Sequence, residues 1–143
     1  MIVLDTTVLV YAVGDLHEFR EPCQNLVVAI ERGDVAATTT VEVIQEFAHV
    51  RARRRNRDDA ARTAKAYISL LSPLLVVEES DLRSGLALFQ RHPEMGAFDA
   101  VLASAALSIE ASALVSADPG FAVVKDLRHV IPNASGIETL LTR

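Results

Sequence analysis

Three stretches of the chain are apolar throughout: Ile2-Val3-Leu4, Leu74-Leu75-Val76-Val77 and Ala113-Leu114-Val115. A strand with one face in water alternates polar and apolar residues, so an unbroken apolar run predicts a strand buried on both faces. Two shorter candidates lie at 35–38 and 129–131. Between these runs the pattern is helical. Helices are expected over 8–13, 18–32, 40–54, 58–71, 80–91, 98–110 and 135–141. Gly33 and Pro73 stand where helices stop, and Ser135-x-x-Glu138 has capping-box spacing. Strands alternating with helices predict an α/β fold with a mainly parallel sheet and helices on both sides. Half of the 143 residues are hydrophobic, enough for a core and too many for a disordered chain. No repeat or linker interrupts the pattern, so residues 1–143 read as one domain.

Composition removes several classes of protein. A single cysteine, Cys23, cannot form an internal disulfide or a Cys-based zinc site, and its apolar setting predicts a small core residue. The net charge of −5 does not announce a nucleic-acid binder. The N-terminus lacks a basic segment and Asp5 interrupts its apolar stretch, so no secretory signal is expected. No run reaches the length of a membrane span. A cytoplasmic protein, away from membranes, is the expectation.

In open α/β sheets, ligands bind beyond the carboxyl ends of the strands. Asp5 directly follows Ile2–Leu4, and Ser116 and Asp118 follow Ala113–Val115. Two further acids, Glu46 and Asp99, sit on helices that leave the same layer. Each has a plain structural role open to it. Asp5 stands at a helix start, Asp118 lies in an Asp-Pro-Gly turn, and Asp99 falls in a first helical turn. Asp99 is nevertheless the only charge from Ala97 to Ile109, and a carboxylate on so apolar a helix needs a partner. Glu42 and Glu46 compete on one helix face. Thr39-Thr40-Val41-Glu42 has the form of a capping box, which assigns Glu42 to the helix end and Glu46 to the site. Four carboxylates brought together repel, and hard divalent cations such as Mg²⁺ or Mn²⁺ relieve that repulsion. Such a centre can hold a phosphate, activate water and stabilise a leaving oxygen, which is the chemistry of phosphodiester hydrolysis. Thr6 and Ser116 carry hydroxyls suited to support it.

In this order the motifs resemble those of PIN-domain nucleases. Ile-Val-Leu-Asp-Thr-Thr-Val-Leu-Val-Tyr resembles the opening segment. Thr-Val-Glu-Val-Ile-Gln-Glu-Phe at 40–47 resembles the second acidic motif, with its glutamate on Glu46. Phe-Asp-Ala-Val-Leu-Ala-Ser-Ala-Ala at 98–106 resembles the third, placing Asp99. Ser-Ala-Asp-Pro-Gly-Phe at 116–121 resembles the fourth, placing Asp118, with Ser116 where threonine is more usual. The resemblance implies a PIN-like three-layer α/β/α fold. It further implies a Mg²⁺- or Mn²⁺-dependent endoribonuclease with Asp5, Glu46, Asp99 and Asp118 as catalytic and metal-holding acids. The length of the chain, with no appended domain, makes it similar to VapC-type toxins. For those the family implies an RNA substrate, a homodimer and a cognate antitoxin.

A basic segment stands apart. Arg51, Arg53, Arg54, Arg55 and Arg57 fall within seven residues, and with Arg62 and Lys65 they make up half of the 14 basic residues. Cations at a helix end are ordinary, but the cluster also suits RNA phosphates or an acidic stretch of antitoxin. Aromatics are only 5%, so backbone and shape are expected to dominate recognition over base stacking. The four histidines lack metal spacing, and Glu78-Glu79-Ser80-Asp81 reads as an acidic helix start. Dehalogenase-type phosphatases and receiver domains also begin with a strand ending in Asp. Thr7 stands where the first needs a second acid, and Thr6 where the second does. Within the PIN resemblance two alternatives remain: a nuclease of RNA maturation or decay, and a binding module without turnover.

Overall fold

The computed structural model describes residues 1–142. Four short strands form one sheet: β1 (Ile2–Leu4), β2 (Ala37–Thr38), β3 (Ala113–Val115) and β4 (His129–Val130). All pairings are parallel, in the order β2-β1-β3-β4. The two central strands, β1 and β3, are buried at every position, as their unbroken apolar runs predict. Among the described residues seven α-helices cover the sheet: α1 (Thr6–Ala12), α2 (Arg20–Glu31), α3 (Val41–Arg54), α4 (Arg57–Leu71), α5 (Glu79–Arg91), α6 (Ala97–Ser108) and α7 (Ala134–Leu141). The expected helices are all present, with ends shifted by a residue or two. Gly33 takes a φ of +79° just past α2, the left-handed geometry that glycine adopts without steric cost.

One expected strand is absent. Residues 74–77 make a single bridge, Thr40 to Leu75, and Val76 is 71% exposed. This segment runs past β2, which is already the edge of the sheet. Pro73 has no amide proton to extend a ladder there. Apolar character marked the segment as buried, but it has no second neighbouring strand to bury it.

The helix caps differ from two expectations. Thr40 is the N-cap of α3 and accepts from the Val43 amide, so the capping box at 39–42 does not form. Thr39 instead donates its hydroxyl proton to the Leu4 carbonyl. Asn133, not Ser135, caps α7 and accepts from the Gly136 amide. A genuine capping box joins Glu78 and Asp81 at the start of α5. Asp81 is buried there and also accepts the Ser108 hydroxyl of α6. Cys23 lies in the core, and burial pushes its thiol up to about 12.

The strand order places the site. The chain goes from β1 to β2 on one side, then returns to β3 on the other. The switch point therefore falls beyond the carboxyl ends of β1 and β3. Asp5 leaves β1 there, and Ser116, Ala117 and Asp118 leave β3.

Candidate active site

Asp5 occupies the N-cap position of α1, yet its carboxylate makes no capping bond. It accepts instead from two hydroxyls, Ser116 Oγ at 2.6 Å and Thr7 Oγ1 at 3.2 Å, both on Oδ2. Those hydroxyls each accept a backbone amide from the segment after β3. Ala117 donates to Thr7 Oγ1 and Asp118 donates to Ser116 Oγ, both at 3.0 Å. His129 adds a third tie through Nε2, 2.9 Å from the Ser116 carbonyl. A carbonyl only accepts, so Nε2 carries the proton. Asp118 accepts the Gly120 amide at 2.8 Å, so the expected turn role of Asp118 also holds.

Glu46 enters from the second turn of α3, and its Oε2 accepts from Thr6 Oγ1 at 3.0 Å. With the local cap gone, Glu42 loses the role that set it aside. The choice between the two glutamates now rests on position, because Glu46 is tied to the start of α1 and repels Asp99. Glu42 instead borders an apolar groove with Phe98 and Leu86.

Asp99 comes from the first turn of α6 and ties the four acids into one electrostatic unit. Its carboxyl is raised to about 7, first by burial, then by the charges of Asp5 and Asp118, a hydrogen bond with Asp118, and the charge of Glu46. Asp5 is raised as well, mainly by burial, against the lowering effect of its hydroxyl donors. Among the described residues, none of the four acids has an ion-pair partner. Four carboxyl groups within mutual repulsion, with no protein cation among them, make an all-oxygen donor set of the kind hard dications take. Among the described residues, no three carboxylate, imidazole or thiol groups converge tightly enough to grip one ion as they stand.

The basic segment divides in two. Arg51 is a half-buried strut. Its Nε lies 2.6 Å from Asp59 of α4, and its Nη1 donates to the Val13 carbonyl just past α1. Arg55 pairs with Asp15 at 3.0 Å. Arg53, Arg54 and Arg57 are exposed and, among the described residues, form no ion pair.

Thr7 and His129 are site residues that the sequence did not single out. Thr7 carried a faint signal, a hydroxyl two residues after a strand-end acid. His129 carried none, since only the β3–β4 pairing brings it to Ser116.

A four-stranded, all-parallel sheet covered by helices is the three-layer α/β/α architecture of the PIN class. Residues 2–127 match the PIN domain family model, and the chain belongs to that family. It is 54% identical over 145 aligned residues to Ribonuclease VapC7 of Mycobacterium tuberculosis, covering 99% of this chain and 98% of that protein. Ribonuclease VapC23 of the same species is 34% identical over 69% of the chain and 78% of its own length. Within the PIN family, the chain is thus a member of the VapC ribonucleases. Two solved structures share the fold at a TM-score of 0.71 and cover 92% of the chain and 98% of their own. One is VapBC2 from Rickettsia felis bound to a promoter DNA fragment, at 18% identity. The other is FitAcB from Neisseria gonorrhoeae, at 17%.

Proposed function

We propose that this chain, acting as one PIN-like domain, is the toxin of a toxin–antitoxin pair and cleaves RNA with Mg²⁺ or Mn²⁺. What supports this reading is the gathering of Asp5, Glu46, Asp99 and Asp118, in which burial and the neighbouring charges raise the Asp99 carboxyl and, among the described residues, none of the four has an ion-pair partner. Those four acids would hold the ion. Bound there, the ion supplies Lewis acidity to a phosphodiester and to water. The chain's own part is orientation: Thr7 and Ser116 hold Asp5, Thr6 holds Glu46, and the Gly120 amide holds Asp118. The test is incubation with total RNA and Mg²⁺, with and without chelator, followed by mapping of the new ends. Cuts that vanish with chelator support the reading. Equal cutting in both, or none in either, overturns it.

The RNA substrate and the antitoxin enter through likeness to VapC7 and to the VapBC2 complex. A cytoplasmic setting belongs to the same reading. Among the described residues, no helix is long and apolar enough to cross a membrane. A homodimer also belongs here. Leu82, Leu86 and Phe89 of α5 and Phe98 of α6 are exposed, and a second copy would cover such a face.

Within the basic segment, Arg53, Arg54 and Arg57 form no ion pair among the described residues and can meet RNA phosphates or an acidic antitoxin segment. Neutralising these three should weaken RNA binding and flatten its salt dependence, the slope falling by about one for each phosphate that is no longer neutralised. Arg51→Ala should instead lower the melting temperature, because its bonds tie α3 to α4 and to the end of α1. Salt-titrated binding beside thermal melts separates the two groups. An unchanged slope in the triple variant would leave the patch merely solvated.

A further inference from the structure

The two hydroxyls on Asp5 do more than satisfy it. An amide can only donate, so the Ala117 N–H must point at Thr7 Oγ1 and the Asp118 N–H at Ser116 Oγ. Each hydroxyl proton is then left for Asp5 Oδ2. Both protons converge on the same carboxylate oxygen, so the Asp5 carboxylate cannot turn without losing two bonds. The same hydroxyls grip the two consecutive backbone amides on either side of the Ala117 Cα. The Asp5 carboxylate and the Asp118 backbone are thus stitched together across neighbouring strands, through side chains rather than through the sheet.

We infer that Thr7 is a positioning residue that sets which oxygen of Asp5 faces the pocket and how far Asp5 stands from Asp118. This rests on the reading of both acids as ion ligands. Ser116 is fully buried, so its replacement disturbs the core as well. Thr7 is only partly buried, on the open side of α1. Water can replace its hydroxyl without unfolding the protein, but water does not fix the carboxylate's orientation.

The discriminating variants are Thr7→Val, which keeps shape and loses the hydroxyl, and Thr7→Ser, which keeps the hydroxyl. Mn²⁺ affinity is read by calorimetry on the full chain, RNA cleavage by steady-state kinetics, and the Ala117 amide by hydrogen exchange. Thr7→Val should speed exchange at Ala117, weaken Mn²⁺ binding about tenfold or more and lower kcat with little change in KM, as losses of supporting hydrogen bonds around metal ligands do. Thr7→Ser should restore all three. If Thr7→Val binds Mn²⁺ as tightly as the parent, the positioning role is overturned, even where Ala117 exchanges faster. A parent that binds no Mn²⁺ overturns the nuclease reading itself, and the role of Thr7 with it.

Discussion

Asp99→Asn should cut RNA at a rate at least about a thousandfold below the parent while melting at a higher temperature in the absence of divalent ions. The first effect follows from losing a charged oxygen where several kcal/mol of charge stabilisation are delivered, at about 1.4 kcal/mol per tenfold in rate. The second follows from the cluster itself. Asp99 is raised to about 7 by burial and by Asp5, Asp118 and Glu46, so its ionisation strains the ion-free fold. An isosteric amide removes one repelling charge and nearly preserves shape. Lower activity with higher stability is the mark of a site held together against its own electrostatics. Parental cleavage by this variant, or by Asp5→Asn, would remove the four-acid assignment.

The pH dependence has a definite sign. The folded Asp99 carboxyl binds its proton more tightly than the unfolded one, raised from 3.8 to about 7. The stability this contributes is fully present below the unfolded value and is lost as pH rises through about 7. Ion-free protein should therefore lose stability between about pH 4 and pH 7. Mg²⁺ should recover it most strongly above pH 7, where no proton competes. Asp99→Asn should flatten both trends in thermal melts across that range.

Gly85→Leu should lower the melting temperature by roughly 10 °C and reduce cleavage as well. A β-carbon at Gly85 would lie 2.7 Å from the Val101 Cα and 2.8 Å from its Cγ2. The first is backbone and cannot swing aside, so α5 and α6 must separate. Overpacking of this kind costs about 1–3 kcal/mol, and a backbone contact puts it at the upper end. The small residues Ala100, Ala103, Ser104 and Ala106 leave α6 little bulk to give way. Asp99 stands two residues before Val101 on the same helix, so the displacement reaches the acid cluster. A Gly85→Leu protein with parental melting and cleavage would show that the two helices adjust freely.

The fold was legible because its cause is local. Unbroken apolar runs at Ile2–Leu4 and Ala113–Val115 can only be satisfied inside a sheet covered on both faces, and β1 and β3 lie there. The same rule misplaced 74–77. Hydrophobicity reports what a segment prefers, but whether a neighbouring strand is available depends on the path of the whole chain. Cap motifs misled for a similar reason. Thr39 had the right spacing for a capping box, but the nearby Leu4 carbonyl took its hydroxyl proton.

The sequence by itself determined the element order, the parallel sheet and the small set of acids from which a site could be made. Those follow from the period of apolar residues and from which polar residues stand after strands. Only the tertiary structure decided that burial and neighbouring acids raise the Asp99 carboxyl, that Glu46 bonds Thr6 at the start of α1, and that Thr7 and His129 hold the segment after β3. It also decided that Arg51 is committed to packing while Arg53 is exposed and, among the described residues, forms no ion pair. The physical reason is range. An apolar run carries its burial preference within a few residues, whereas a carboxyl's proton affinity sums burial and charge contributed by residues far away along the chain.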